Sequence, residues 1–158
     1  MCIRDRTRVL TGINDFMFDW TLPVGETFCS PEAVMCFAPD EDTLSTRFHF
    51  FVSEHIVRGK WKKKERPVLV NNWEGTYFDF NEEKLLAIAE AAKKTGVELF
   101  VLDDGWFGKR DSDTCSLGDW YDKLEKTGGG LASLGEKIRA LGVSFGIWVE
   151  PEMISEDS

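Results

Sequence analysis

The fold is decided by the stretch Leu99–Trp106, LFVLDDGW, in which four apolar residues are followed at once by two aspartates, a glycine and a tryptophan. A short apolar run without polar alternation is typical of a strand that is buried on both faces of a parallel sheet. Similar runs occur at Pro67–Asn71 and at Ser144–Val149. The spacing of apolar residues between these runs predicts helices over Glu82–Lys94 and Leu131–Leu141.

Residues that favour helix ends flank both predicted helices. Asn81 can cap the start of the first helix and Gly96 its end, and Gly142 follows the second helix. The order strand, helix, strand, helix, strand is typical of an α/β fold in which helices cover a parallel sheet. Three strands cannot close a barrel of eight. The sheet is therefore either open and complete, or it is the first third of a (β/α)₈ TIM barrel.

The beginning of the chain has a different pattern, with short apolar runs separated by turn residues over positions 9–56. This spacing predicts short strands and an all-β unit. His49 and His55 fall in this unit and are interpreted as cross-strand or surface residues. We expect two domains, residues 1–59 and residues 60–158. The predicted strands of the first domain are Phe16–Phe18, Leu22–Gly25, Ala33–Phe37 and Phe48–Val52.

The net charge argues against two classes of partner. Lys and Arg total 19 against 28 for Asp and Glu, which gives a net charge of −9. A surface of this sign repels nucleic acid and anionic lipid, so a neutral partner fits better. The longest mostly apolar stretch, Ala140–Val149, is interrupted by glycine and serine and is far shorter than the roughly 20 residues that cross a bilayer. We expect neither nucleic-acid binding nor a membrane anchor.

The four cysteines do not form a metal or redox motif. Cys2, Cys29, Cys36 and Cys115 include no CxxC pair, and two histidines are too few to complete a zinc site with them. They are interpreted as structural or free thiols, and no bound metal is expected.

The two ends of the chain also carry signals. Met1–Arg6 lacks the apolar segment of a signal peptide, which favours a cytoplasmic location. This hexapeptide matches nothing that follows it, and Ile154–Ser158 comes just after an apolar strand with no closing helix. We therefore expect that the sequence is cut at both ends.

Polar and aromatic residues cluster where each predicted strand ends. The clusters are Asn71–Glu74, Asp103–Trp106 and Trp148–Glu152. The carboxyl ends of parallel strands lie on one common side of the sheet, which is where ligands bind in such folds. Residues that are far apart in the sequence are therefore expected to converge on one site.

The chemistry of these clusters favours a sugar. Neighbouring carboxylates can hold a divalent metal, share general acid and base work, or accept hydrogen bonds from sugar hydroxyls. Trp73, Trp106 and Trp148 offer flat apolar faces that suit the C–H face of a pyranose, and no glycine-rich phosphate loop is present. Metal–phosphate chemistry stays open, because neighbouring carboxylates can also hold a divalent metal. A purely structural role stays open as well, because Asp-Asp-Gly is also an ordinary turn and Glu150–Glu152 could be a simple strand exit.

Several motifs in the same order along the chain resemble those of the glycoside hydrolase family 36 α-galactosidases. The resemblance spans residues of about 20 to 153, and so many motifs in order make chance similarity very improbable. The motifs are Glu26–Phe28, Pro31–Ala33, Arg66–Glu74, Leu102–Arg110, Ser116–Trp120 and Gly146–Met153.

The resemblance implies both a fold and a binding site. The fold is the end of an N-terminal β-sandwich domain followed by the start of a (β/α)₈ catalytic barrel. Asp103 and Asp104 are implied to accept hydrogen bonds from the O4 and O6 hydroxyls of galactose, and Trp73 and Trp148 resemble the aromatic walls of the pocket. Trp106 and Glu150 are placed at the pocket edge.

The resemblance also implies retaining hydrolysis of terminal α-galactosyl residues from sugars such as melibiose and raffinose, by an aspartate nucleophile and an aspartate acid and base. Both belong to later barrel strands and have no matching motif here, so we assign no catalytic residue to this chain and expect it to be inactive alone. No cofactor is expected, and relatives suggest a homo-oligomeric, often tetrameric, parent enzyme.

Three alternatives stay open. Within the family, the parent protein could be a galactosyl-transferring enzyme or an α-N-acetylgalactosaminidase. Outside it, the chain could be a non-catalytic sugar-binding or metal-binding module. The carboxylates available to such a module are Asp103, Asp104, Glu150 and Glu152.

Overall fold

A computed structural model describes residues 9–158. Met1–Arg8 lie outside the described residues, and so do Cys2 and the expectation about Met1–Arg6. The chain divides after Lys64 into two compact units.

Between residues 9 and 64, the described part of the first unit, the structure has one longer helix. Helix α1, Glu41–Phe51, begins after Asp40, whose carboxylate accepts a hydrogen bond from the backbone N–H of Thr43 at 2.7 Å. This hydrogen bond lowers the pKa of Asp40 from its ordinary value. A π-helical turn, Val52–Ile56, and a 3₁₀ turn, Gly59–Trp61, follow.

The predicted strand Phe48–Val52 is wrong, because its first four residues end α1 and its last begins the π-helical turn. Leu44, Phe48 and Phe51 recur at helical spacing and are half-buried, whereas their neighbours are mostly exposed. The aromatic run is typical of a strand, but Asp40 and two acidic residues in the first turn favour a helix start.

The rest of this unit also differs from the expectation. Between residues 9 and 64 the structure contains no strand, so the all-β unit is not observed. The β-sandwich domain that the resemblance implies is not confirmed. His49 lies in α1 and His55 in the π-helical turn, so neither is a cross-strand residue.

The second unit contains a parallel sheet of three strands in the order β1, β2, β3. The strands are β1, Leu69–Asn71, β2, Leu99–Leu102, and β3, Ser144–Ile147. Phe100 of β2 is in register with Val70 of β1 and with Phe145 of β3. The predicted α/β architecture with a parallel sheet is confirmed.

Two longer helices cover one face of this sheet. A single helical turn precedes each of them in the chain, after β1 in one case and after β2 in the other. The single turns are α2, Trp73–Thr76, and α4, Leu124–Thr127, and the longer helices are α3, Glu82–Lys94, and α5, Leu131–Ala140. Asn81 caps α3 as predicted, since its side-chain oxygen accepts from the backbone N–H of Lys84 at 3.0 Å.

The hydrophobic core lies between the two longer helices and the sheet. Leu85 of α3 and Ile138 of α5 pack in one cluster with Phe100 and Leu102, and all four are fully buried. Since side chains alternate between the faces of a sheet, Leu69, Leu99 and Val101 point to the opposite face, where they are partly or largely exposed. The strands are therefore covered on one face, not on both as their composition suggests.

Among residues 9–158, no helix combines the length and the apolar composition that crossing a bilayer requires.

Candidate functional site

An open concavity of about 440 Å³ lies at the carboxyl edge of the sheet. Five of the six residues predicted for the site line it, and they come from the ends of all three strands. This volume is within the usual range for small-molecule sites. The lining residues are Trp73, Asp103, Asp104, Arg110, Asp113, Leu117, Trp148, Glu150 and Met153.

Two asparagines at the end of β1 connect it to the end of β2. The buried side chain of Asn72 accepts a hydrogen bond from the backbone N–H of Asp103 at 2.8 Å. The side chain of Asn71 donates to the Asp103 carboxylate and accepts from the backbone N–H of Trp73 at 2.7 Å. These bonds fix where α2 begins, and so they place Trp73 beside Asp103.

Asp103 keeps part of its hydrogen-bonding capacity free. One carboxylate oxygen accepts from the backbone N–H of Asp104 at 2.7 Å, and the other accepts from Asn71. A carboxylate offers about four lone-pair positions, so these two bonds leave acceptor capacity on a half-buried side chain that lines the concavity.

Asp104 is held in a different way, by a buried ion pair with Arg110. The Arg110 Nη2 atom donates to Asp104 Oδ2 at 2.8 Å, and Nε lies 3.0 Å from Oδ1. Only 5% of Asp104 and 3% of Arg110 is exposed. Hydrogen bonding to Asp104 raises the pKa of Arg110 above its ordinary value, against the opposing effect of burial. Charge-assisted forked pairs of this kind are rigid, so Asp104 is fixed in place.

Trp148 and Glu150 follow β3. The backbone N–H of Trp148 donates to the carbonyl of Leu102 at 2.8 Å, which continues the pairing with β2 by one residue. Both Trp148 and Glu150 are half-buried and line the concavity. The ring of Trp148 therefore lies across the site from the end of β1, since β2 runs between them.

Trp106 is not at the edge of this concavity, contrary to its predicted place. It is 3% exposed, it packs in the core, and its ring nitrogen donates to the carbonyl of Trp148 at 2.9 Å. Gly105 turns the chain with φ +93°, which directs Trp106 into the core. Trp106 thus holds the backbone of Trp148 from the core side, through this hydrogen bond.

The sequence-based prediction also missed four residues that line the concavity. Arg110 is the most important of them, because it neutralises one of the two adjacent aspartates. The available signal was the basic pair Lys109–Arg110, which follows the acidic pair Asp103–Asp104 within one loop. The other missed residues are Asp113, Leu117 and Met153.

The arrangement suits an uncharged ligand with several hydroxyl groups. Acceptor oxygens of Asp103, Asp113 and Glu150 line a space that also contains two indole rings. Within the part of the chain that the structure describes, no group of three or more His, Cys, Asp or Glu side chains is arranged to hold a metal ion. The carboxylate oxygens of the concavity can accept hydrogen bonds from hydroxyl groups.

The glycine in the Asp-Asp-Gly turn can be tested by comparison with Gly96. A methyl group added at Gly105 would lie 2.9 Å from Phe78 Cδ1, whereas Gly96 has nearly the same φ, +90°, with open space around it. Gly105→Ala is expected to lower the free energy of unfolding by about 2–5 kcal/mol, from backbone strain and overpacking together. Gly96→Ala should cost only about 1–2 kcal/mol, from backbone strain. Urea denaturation measures both, and equal losses would show that Phe78 yields to the added methyl.

The buried ion pair can be tested by a double-mutant cycle. Asp104→Asn and Arg110→Met are each expected to lower the free energy of unfolding by about 3–5 kcal/mol, because each leaves one buried group without its partner. The double variant should lose clearly less than the two single losses together. Asp79→Asn, which breaks the exposed pair with Lys84, is the control and should change stability much less. Additive losses in the buried pair would contradict this account.

Comparisons with known proteins show which family this chain is similar to. The melibiase family model matches residues 27–158. The α-galactosidase AgaA of Geobacillus stearothermophilus is 49% identical over 152 residues, which cover 96% of this chain and 21% of that protein. An α-galactosidase of Lactobacillus acidophilus is 51% identical over 151 residues, with 95% and 21% covered. The chain thus spans about a fifth of the length of the curated relatives it matches.

Solved structures are similar as well. The crystal structure of the family 36 α-galactosidase AgaB from Geobacillus stearothermophilus matches with 54% identity and a TM-score of 0.67, over 72% of this chain and 16% of that one. A variant of AgaA in complex with stachyose matches with 49% identity and a TM-score of 0.73, over 93% and 21%. Another AgaA variant is in complex with raffinose. The resemblance to the family 36 α-galactosidases is confirmed: the chain belongs to the melibiase family.

Proposed function

We propose that this chain supplies part of the galactose-binding pocket of an α-galactosidase that removes terminal α-galactosyl residues with retention. The observation that carries the proposal is the concavity at the carboxyl edge of the sheet, which Trp73, Asp103 and Trp148 line together in a member of the melibiase family. Raffinose and stachyose, which relatives hold in their structures, indicate the substrate class of galacto-oligosaccharides.

Asp103 and Asp104 are proposed to accept hydrogen bonds from the O4 and O6 hydroxyls. A charged acceptor makes such bonds strong, and a buried acceptor left unpaired by the wrong epimer costs about 1–3 kcal/mol. Asp104 already accepts from Arg110 and from the backbone N–H of Gly105, so we assign the larger share of this discrimination to Asp103. Galactose is then preferred over glucose because only galactose presents O4 in the axial position that the acceptors favour.

Trp73 and Trp148 are proposed as the walls of the pocket. They follow β1 and β3, the two outer strands of this sheet, so a sugar ring above the end of β2 would lie between them. An indole face covers the C–H face of a pyranose without competing for its hydroxyls. Glu150 is proposed at the pocket edge.

The complete catalytic unit in this proposal is a (β/α)₈ barrel. Leu69, Leu99 and Val101 give the uncovered face of the sheet an apolar character, which suits the packed interior of a barrel. The nucleophile and the acid and base aspartates would come from later strands. The preceding β-sandwich and the homo-oligomeric state rest on the resemblance alone.

Galactose binding by Asp103 is the first test. Asp103→Asn is expected to weaken galactose binding by roughly 10- to 100-fold, because it replaces a charged acceptor. A ligand-observed NMR titration measures weak affinities directly. Glu90→Gln, an exposed change on α3 away from the site, is the matched control and should bind as the parent does. An affinity for glucose equal to that for galactose would contradict the proposal. So would a galactose affinity that Asp103→Asn leaves unchanged.

Catalysis is the second test. We expect these 158 residues to show no turnover of an aryl α-galactoside, because the proposed pocket contains no assigned nucleophile or acid and base. A continuous assay of phenol release at high protein concentration measures this. Steady hydrolysis that Asp103→Ala abolishes would place the catalytic groups within this chain and overturn the assignment.

A further inference from the structure

The ring of Trp73 is in contact with the rings of two neighbouring aromatic residues. Its helix, α2, has only four residues and ends at Tyr77, whose φ of 46° is unusual for a residue with a side chain. Two aromatic rings meet Trp73 edge to face, with centroid distances of 5.3 Å to Tyr77 and 5.0 Å to Phe78. The orientation of Trp73 therefore depends on these contacts.

Phe78 also contacts the carboxylate side of the concavity. Its ring centroid lies 5.8 Å from the Cζ atom of Arg110, which holds Asp104. The same ring lies against Gly105, where an added methyl would be 2.9 Å from Phe78 Cδ1. One side chain thus connects the aromatic wall to the residues that orient a carboxylate.

The backbone of Phe78 is anchored from a third direction. Lys126 Nζ donates to the carbonyl of Phe78 at 2.8 Å and pairs with Asp111 at 2.7 Å. The position of Phe78 is therefore tied to the loop that follows β2. Phe78 does not line the concavity itself, so any effect it has on a ligand must pass through its neighbours.

We propose that Phe78 is a positioning residue that holds the ring of Trp73 in a fixed relation to the Arg110–Asp104 pair, and so sets the shape of the sugar pocket. This inference rests on the proposed function for its effect on galactose. Its structural part, the immobilisation of Trp73, does not need a ligand. Among residues 9–158, the ring of Phe78 makes both an edge-to-face contact with Trp73 and a cation–π contact with Arg110, and we assign the role to it for that reason.

Phe80 provides a matched control. It is an aromatic residue two positions further along, it packs against the same Gly105 and lies 4.8 Å from Lys126, yet it has no ring contact with Trp73 or Arg110. Phe80→Leu and Phe78→Leu remove similar side-chain volumes from the same region. A purely structural role for Phe78 predicts similar effects from both changes.

The experiment compares Phe78→Leu, Phe78→Tyr and Phe80→Leu with the parent protein in two measurements. Acrylamide quenching reports the mobility and exposure of Trp73, taken as the difference between each protein and the same protein with Trp73→Phe. Ligand-observed NMR reports galactose affinity. Phe78→Leu should increase Trp73 quenching and weaken galactose binding roughly 3- to 10-fold, as expected for the loss of edge-to-face contacts. Phe78→Tyr keeps an aromatic ring and should leave Trp73 quenching and galactose affinity unchanged. Phe80→Leu should also leave both unchanged.

The outcomes separate the inference from the proposed function. Parent-like quenching and affinity in folded Phe78→Leu, or equal changes in Phe80→Leu, would overturn the positioning role. If the chain without substitutions binds no galactose, the proposed function is overturned. The quenching measurement then tests the positioning role of Phe78 without the affinity measurement. Should Phe78→Leu fail to fold, Phe78→Met, which keeps more of the side-chain volume, replaces it with the same expected results.

Discussion

The parallel register of the three strands is the constraint on which the site depends. Pairing of Val70, Phe100 and Phe145 in one row brings the ends of β1, β2 and β3 to one edge of the sheet. The ends of β1 and β3 each contribute an indole, and the end of β2 contributes a pair of carboxylates. A shift by one residue would turn these side chains to the opposite faces, since side chains alternate along a strand. The packing of Phe100 and Leu102 under α3 and α5 therefore also fixes the position of the groups that line the concavity.

Sequence patterns predicted the second unit well and the first unit poorly, for a physical reason. The helix Glu82–Lys94 and the strand Leu99–Leu102 have periodicity, caps and burial that agree with one another, and the structure has both at the predicted bounds. In Phe48–Val52 local cues conflict, because aromatic residues favour a strand while the cap at Asp40 favours a helix. The cap and the helical spacing from Leu44 onward prevailed.

The convergence of the strand ends could be predicted because topology alone requires it. The position of Trp106 could not be predicted, since it depends on the positive φ of Gly105, after which the ring of Trp106 is buried. The pairing of Arg110 with Asp104 was also hidden, because it crosses a loop whose shape no periodicity specifies. Sequence reasoning therefore predicted which strand ends converge on the concavity, but not the contacts that support them.

The buried ion pair of Arg110 with Asp104 explains how two adjacent aspartates can line one small concavity. Two neighbouring carboxylates repel each other electrostatically unless a counter-charge lies close by. Arg110 compensates the charge of Asp104, and the amide groups around Asp103 stabilise its carboxylate by hydrogen bonds alone. The two side chains consequently differ in function although they are adjacent and identical in type. Asp104 has a fixed position and little spare acceptor capacity, whereas Asp103 retains acceptor capacity, so in the proposed pocket Asp103 is the better placed of the two to bind a hydroxyl.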